Sequence, residues 1–374
     1  SIPSFVPLNM IAAPGGTTHF KIVSAGAEID FEFLCRFPYN TWDLSTAIKQ
    51  LLHGDVVGMP TETVYGLAAC IDKKSAVEKI FTTKQRPFFD PLIVHVSSIE
   101  MAQKLCLQWP KIAEVLAQKF WPGPLTLVLP KNHHVSDLIT AGLPSVGLRW
   151  PQHPLAEALI QGTQTPLAAP SANRFGKTSP TTAQAVLQEL PSVGVIDGGP
   201  CDVGIESTVL MIKPMESTCQ LAILRPGKIT QEDISQCLSF HPQLDFQWVT
   251  SVSKKESPGH MKHHYMPAIP LITCLKNSSS QDELLEWANH QIHSIPDMVE
   301  EVHIVKPRSA LRRPGVLALD QDPSLACRQF YSQLRQLSES DHDCILCFFE
   351  HSPKDSRWDG LRDRLMKASS LIFQ

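Results

Sequence analysis

No stretch of this 374-residue chain reaches the roughly 18 consecutive apolar residues that a membrane helix needs. Its first residues carry no charged segment followed by a long apolar run, so no secretory signal is visible in them. Charge of one sign is also scarce. The 33 basic and 37 acidic residues leave a formal net charge of −4, which excludes a general basic coat for nucleic acid but not a single basic cleft. Metal-ligand patterns are missing too. His133 and His134, and His263 and His264, are merely adjacent pairs, and no H-E-x-x-H occurs. No serine–histidine–acid order is evident. The ten cysteines are scattered. Only Cys344 and Cys347 form a C-x-x-C, inside the apolar run CILCFF, which reads as a buried strand rather than a redox or zinc site. Free thiols fit a reducing cytosol, so a cytoplasmic protein is expected.

What is present is enough for two domains with separate cores: 43% apolar and 19% charged residues over this length. From Leu44 onward, helical and strand patterns alternate. Helices are expected over 44–54, 75–84, 110–120, 153–162 and 181–190, with a short one capped by Ser98, and the helix over 153–162 should close at its glycine. Strands are expected over 55–60, 91–96, 125–130, 145–150, 166–173, 194–199, 207–212 and 221–227. Several links are too short for a helix, so the sheet should mix parallel and antiparallel pairs. Residues 1–40 form an extension of two edge strands or a partly ordered arm. Residues 41–235 form the first α/β domain and 236–268 a polar linker. Residues 269–374 form a smaller α/β domain with no Gly-rich nucleotide loop, so nothing local gives it a catalytic role.

Four clusters could carry chemistry. Lys84 and Arg86 end a helix just before a strand; they are either ordinary dipole partners or an anion site. Thr61, Glu62, Thr63 and Tyr65 crowd a turn between apolar segments, as local caps or as a polar-substrate site with Tyr65 as a wall. Ser171, Asn173 and Ser179 follow an apolar strand, as turn chemistry or as an anion nest. Arg149 and Arg225 each end an apolar strand, where a guanidinium must reach water or an anion.

In order along the chain stand PTETVYGL, KQRP, PLIVHV, FWPGPLTLVL, AGLPSVGLR, PLAAPSAN, SPTT, DGGPCDVGIESTV and LRPGKIT, followed by PGHMKHHYMP. Together these segments resemble the threonylcarbamoyl-adenylate synthase family in its two-domain form, closely over 44–230 and more weakly in the tail. The resemblance implies a twisted, open, mixed α/β sheet of the YrdC type around a basic cleft, with a smaller Rossmann-like α/β domain behind it. It implies Lys84 and Arg86 as the catalytic, phosphate-facing pair, and Asp90, Ser145, Ser171, Asn173, Ser179 and Arg225 around ATP. Thr61, Thr63, His95, Arg149 and Ser207 would surround L-threonine, and the linker would bring His264 or Tyr265 to the nucleotide. Three positions depart from the family's usual residues: Asp90 stands where asparagine is common, Gln85 replaces glycine, and Met266 replaces alanine.

The activity implied is a nucleotidyl transfer. Threonine takes up bicarbonate or CO2, and the carbamate attacks the α-phosphorus of ATP. Mg²⁺ would come with the ATP phosphates rather than sit on a protein site. The partners implied are these substrates, with transient contact to tRNA or a threonylcarbamoyl-transferase complex left open, and no membrane. Replacing Lys84 or Arg86 by alanine should then cut turnover with little loss of fold. Rival readings are an RNA-binding module, a carbamoyl-transfer enzyme of the hydrogenase-maturation type, and a regulator with a degenerate site.

Overall fold

The computed structural model describes residues 41–250, 263–275, 280–291, 294–295, 297–299, 302–306, 310–349 and 355–374, together with two short strands earlier in the chain. Those two, Ile22–Ser24 and Ala27–Ile29, pair with each other antiparallel; the rest of the first forty residues lies outside the described set.

The first domain is built on a ten-stranded sheet. In spatial order its strands are Phe246–Trp248, Cys219–Arg225, Thr208–Pro214, Leu125–Pro130, Ser145–Arg149, Ile93–His95, Leu167–Ala168, Gly66–Cys70, Val57–Met59 and Gly194–Val195. Four neighbouring pairs are parallel and five antiparallel, so the sheet is mixed. Helices Lys74–Lys84 and Lys111–Phe120 cover one face, and their apolar sides join the largest core cluster. Leu44–Leu52 and Pro154–Thr163 pack on a second cluster.

Two boundaries differ from the sequence reading. Helix Pro154–Thr163 runs past Gly162 and stops at Gln164, which takes the left-handed conformation at φ 53°. Gly162 has another purpose: a Cβ there would lie 2.3 Å from Ile48 Cδ1, so glycine permits the two helices to approach. The first domain also does not end at residue 235. Helix Gln231–Ser239 leads to Phe246–Trp248, which adds a parallel edge strand beside Cys219–Arg225. The segment between domains is thus shorter than 236–268; residues 251–262 lie outside the described set.

The second domain holds a four-stranded, all-parallel sheet in the order Pro314–Val316, Cys344–Phe348, Leu271–Cys274, Leu371–Phe373, flanked by helices Gln281–Gln291, Pro323–Glu339 and Asp359–Ala368. Cys344 and Cys347 are fully buried in its strand, and burial pushes both thiols up to about 12, as suits core residues. No helix among the described residues is long and apolar enough to cross a membrane.

The two domains share a core. Val64, Val203 and Ile205 of the first pack with Phe330, Tyr331, Trp358 and Leu361 of the second. Gly204, at φ +82°, lies so close to helix Pro323–Glu339 that a Cβ would come within 2.4 Å of Arg328 Cα. Any other residue there would push the domains apart.

Candidate active site

Beside this junction lies a cleft of about 570 Å³, counting the solvent at its open side. Its floor is the sheet face carrying Ile93 and His95, which point the same way because they are two residues apart in one strand. Thr61, Thr63, Arg86, Asp90, Arg149, Ser171, Glu206, Ser207 and Arg225 line it, and His264 and Tyr265 close it from the interdomain segment. Arg149 and His95 sit opposite each other at the ends of parallel strands, and Arg225 ends a third strand.

The arginines are not equivalent. Arg86 Nη2 lies 2.8 Å from Asp90 Oδ2 and donates to the Pro91 carbonyl at 2.9 Å. Arg149 Nη2 lies 2.6 Å from Glu62 Oε2, and its Nη1 donates to Thr63 Oγ1 at 2.8 Å. Arg225 donates to the Ser207 carbonyl and hydroxyl at 3.1 and 3.2 Å and, among the described residues, forms no ion pair. All three are at least nine-tenths buried. Asp90 thus neutralises Arg86 in the cleft wall, so it does not face the cleft as a bare charge. Burial nonetheless lowers the Arg86 pKa, against the pull of Asp90.

Lys84 differs from its sequence reading. It is 1% exposed and does not line the cleft. Its ammonium donates to the carbonyls of Ser171 and Asn173, each at 2.5 Å. Burial, followed by repulsion from Arg86, drops its pKa well below the usual lysine value. Lys84 therefore anchors the loop after strand Leu167–Ala168. Asn173 completes that loop by donating to the carbonyls of Arg174 and Lys177 at 2.7 and 2.8 Å. Removing the Lys84 ammonium strands two buried carbonyls, so Lys84→Ala should lose about 1–3 kcal/mol per stranded group. The expected result thus runs against the reading of an intact fold drawn from sequence alone. Urea denaturation is the check, and a midpoint equal to wild type would contradict the anchoring role.

Three further residues sit away from the cleft. Tyr65 is no wall: its hydroxyl donates to the Gly199 carbonyl at 2.7 Å and accepts from the Gly198 N–H at 3.0 Å. Ser145 lines a smaller adjoining recess that shares Pro91 and Ile93 with the cleft. Ser179 is fully buried and donates to Glu206 Oε1 at 2.5 Å. Both cleft imidazoles are poor bases. Burial, reinforced by Arg149, lowers His95 to about 3, and burial drops His264 well below the usual histidine range.

Sequence reasoning overlooked the second domain's reach into this region. Glu206 opens the motif ESTV, yet its carboxylate is held by Arg364 Nε at 2.8 Å and by the Tyr331 hydroxyl at 3.2 Å, both from the second domain. Arg364 is fully buried and also donates to the Pro226 carbonyl at 2.6 Å. A signal existed: Arg364 falls on the apolar stripe of its helix, beside Leu361, Leu365 and Ala368. The interdomain segment spans both bodies as well. His264 N–H donates to the Lys367 carbonyl, Met266 N–H donates to the Gly176 carbonyl, and Tyr265 takes φ +64° between them.

Burial alone would raise the Glu206 carboxyl, but Arg364 and Arg225 outweigh it and hold the group at about 2. A depressed carboxyl contributes stability above its unfolded pKa and loses it as pH falls. Acidification from pH 4.5 to 2 should therefore loosen the domain junction. Melting curves across that window should fall more steeply for wild type than for Glu206→Gln. Parallel curves would refute this linkage.

Comparison with known proteins agrees with the architecture. The Sua5/YciO/YrdC family model, described as telomere recombination, matches residues 49–227. The model for the C-terminal domain of threonylcarbamoyl-AMP synthase matches 229–370. The chain is 36% identical to threonylcarbamoyl-AMP synthase of Bacillus subtilis, covering 88% of this chain and 94% of that protein. It is 40% identical to that of Pyrococcus abyssi over the same shares. The crystal structure of P. abyssi Sua5 complexed with L-threonine superposes with TM-score 0.70 at 32% identity, covering 88% of this chain and 96% of that one. With both family models matched in order and relatives similar over nearly their full length, the chain belongs to the two-domain threonylcarbamoyl-AMP synthase family.

Proposed function

We propose that this chain makes L-threonylcarbamoyl-AMP, pyrophosphate and water from L-threonine, bicarbonate (which gives up that water on passing through CO2) and ATP taken as its Mg²⁺ complex. It thereby supplies the intermediate for threonylcarbamoyladenosine in tRNAs that read ANN codons. The observation that carries this reading is the convergence of three buried arginines on one cleft that is also lined by hydroxyls, two weakly basic imidazoles and the Asp90 and Glu206 carboxylates, with Arg225 left without a carboxylate partner among the described residues. Such a surface suits a polyanion beside a small hydroxylated zwitterion. The relatives' own names, and the L-threonine held by the P. abyssi protein, support the same reading.

In this mechanism the threonine amine adds to the carbon of CO2 and loses a proton, giving a carbamate. A carbamate oxygen then attacks the α-phosphorus, and the bond to the β-phosphate oxygen breaks. The protein places the reactants and offsets their charge. Arg149, with Thr63, orients the threonine carboxylate by paired hydrogen bonds. Thr61, His95 and Ser207 shape the amino-acid side, Arg86 and Arg225 face the phosphates, and Lys84 and Asn173 hold the loop of Ser171. His95 is too weakly basic to take a proton at neutral pH, so it acts as a neutral hydrogen-bonding group. Each cleft carboxylate is already paired with a guanidinium, which fits Mg²⁺ carried by ATP rather than by side chains. His264 and Tyr265 limit water access to the unstable carbamate. Nine described cysteines, all buried and none in a disulfide, suit the reducing cytoplasm.

The test is incubation with ATP, Mg²⁺ and bicarbonate, with and without L-threonine, followed by pyrophosphate assay and mass spectrometry. The adenylate should appear only when threonine and bicarbonate are both present. Pyrophosphate release that ignores threonine would sink the proposal.

A further inference from the structure

Of the carboxylates beside the cleft, Asp90 pairs with Arg86 and Glu62 with Arg149, both within the first domain. Glu206 alone is paired across the domain junction, with Arg364. It adjoins Ser207, whose carbonyl and hydroxyl Arg225 holds. Arg225 is the cleft guanidinium that, among the described residues, has no carboxylate of its own. Its positive charge also helps hold the Glu206 carboxyl down, so the two groups feel each other.

Resting on the function proposed above, we infer that Arg364 is a positioning residue acting through Glu206. By occupying the Glu206 carboxylate from the second domain, it leaves Arg225 unpaired to meet the anionic substrate. The second domain's contribution to the site is then electrostatic as well as a matter of packing. Without Arg364, Glu206 would stay ionised in a buried place, and Arg225 is the cleft cation whose charge already acts on it. The pairing would occupy the cleft cation that, among the described residues, has no carboxylate, and with the Arg364 charge gone the site would be one positive charge poorer where phosphates must sit. Tyr331 and Ser179 donate hydrogen bonds to Glu206 but carry no charge, so they cannot substitute for Arg364.

A purely structural account differs from this one in one testable respect. If Arg364 serves only to manage the Glu206 charge, it becomes dispensable once that charge is gone. Isothermal titration with MgATP, without threonine or bicarbonate, should be run on the full chain and on Arg364→Met, Glu206→Gln and the Glu206→Gln/Arg364→Met double variant, each with its melting temperature. Arg364→Met is expected to bind MgATP at least tenfold more weakly than wild type. The double variant is expected to return to within about threefold, even if its melting temperature stays lowered. Inorganic pyrophosphate as a second probe should show the same order. The double variant decides the matter even if Arg364→Met fails to fold, because Asp363, the other carboxylate that Arg364 holds, keeps Lys367 at 2.8 Å and no buried charge is left unpaired. A double variant that binds as weakly as Arg364→Met, or tenfold below wild type on its own, would overturn the inference, as would Arg364→Met with wild-type affinity. Failure of wild type itself to bind MgATP would instead sink the function on which the inference rests.

Discussion

Arg86→Ala should lose activity and stability together, and a second substitution should separate the two. Asp90 is 1% exposed and its carboxylate depends on the guanidinium 2.8 Å away. Removing one member of a buried pair leaves an uncompensated charge, which costs about 3–5 kcal/mol. That is a large share of a typical domain's total stability of roughly 5–15 kcal/mol. The same substitution removes a preorganised positive charge from the proposed phosphate side, with an expected fall in kcat of about 10²–10³. In Arg86→Ala/Asp90→Asn the orphaned charge disappears, so most of the stability should return while activity stays low. Denaturant titration and the pyrophosphate assay on both variants make the check. If activity returned with stability, Arg86 would serve the fold alone.

Arg149→Lys should do nearly the reverse. A lysine ammonium keeps a cation beside Glu62, whose side chain is 5% exposed, so the buried pair survives and the melting temperature should change little. What lysine lacks is the planar fork that reaches Thr63 Oγ1 and a carboxylate at once. A charge-assisted hydrogen bond contributes about 1.5–3 kcal/mol. The KM for L-threonine should therefore rise roughly tenfold to a hundredfold, while the KM for ATP moves far less. Discrimination between L-threonine and L-threoninol, which has no carboxylate, should shrink correspondingly. A threonine KM unchanged in Arg149→Lys would place the substrate carboxylate elsewhere.

Much of the chain could be read without coordinates, for local reasons. Periodicity located the helices Lys74–Lys84 and Lys111–Phe120 and the strand Leu125–Pro130 almost to the residue, because each buries a regular stripe or face. The mixture of parallel and antiparallel pairing followed from links too short for a crossover helix. The arginines ending apolar strands marked the cleft, since a guanidinium in that position must find an anion or water. Gly162 misled because glycine commonly ends a helix, whereas here it admits Ile48 of a neighbouring helix, a contact between segments more than a hundred residues apart.

The sequence by itself determined the alternation of elements, the family and the polar residues available to the site. Tertiary structure decided which of those residues face the cleft and which are taken up by partners. Lys84 and Tyr65 turn to backbone groups, Asp90 and Glu62 pair with the arginines, and Arg364 arrives from 158 residues further along the chain to hold Glu206. Local patterns report whether a side chain is buried, because burial follows the period of its own helix or strand. They do not report its partner, because the partner of a buried charge is set by which distant elements the fold brings within about 3 Å.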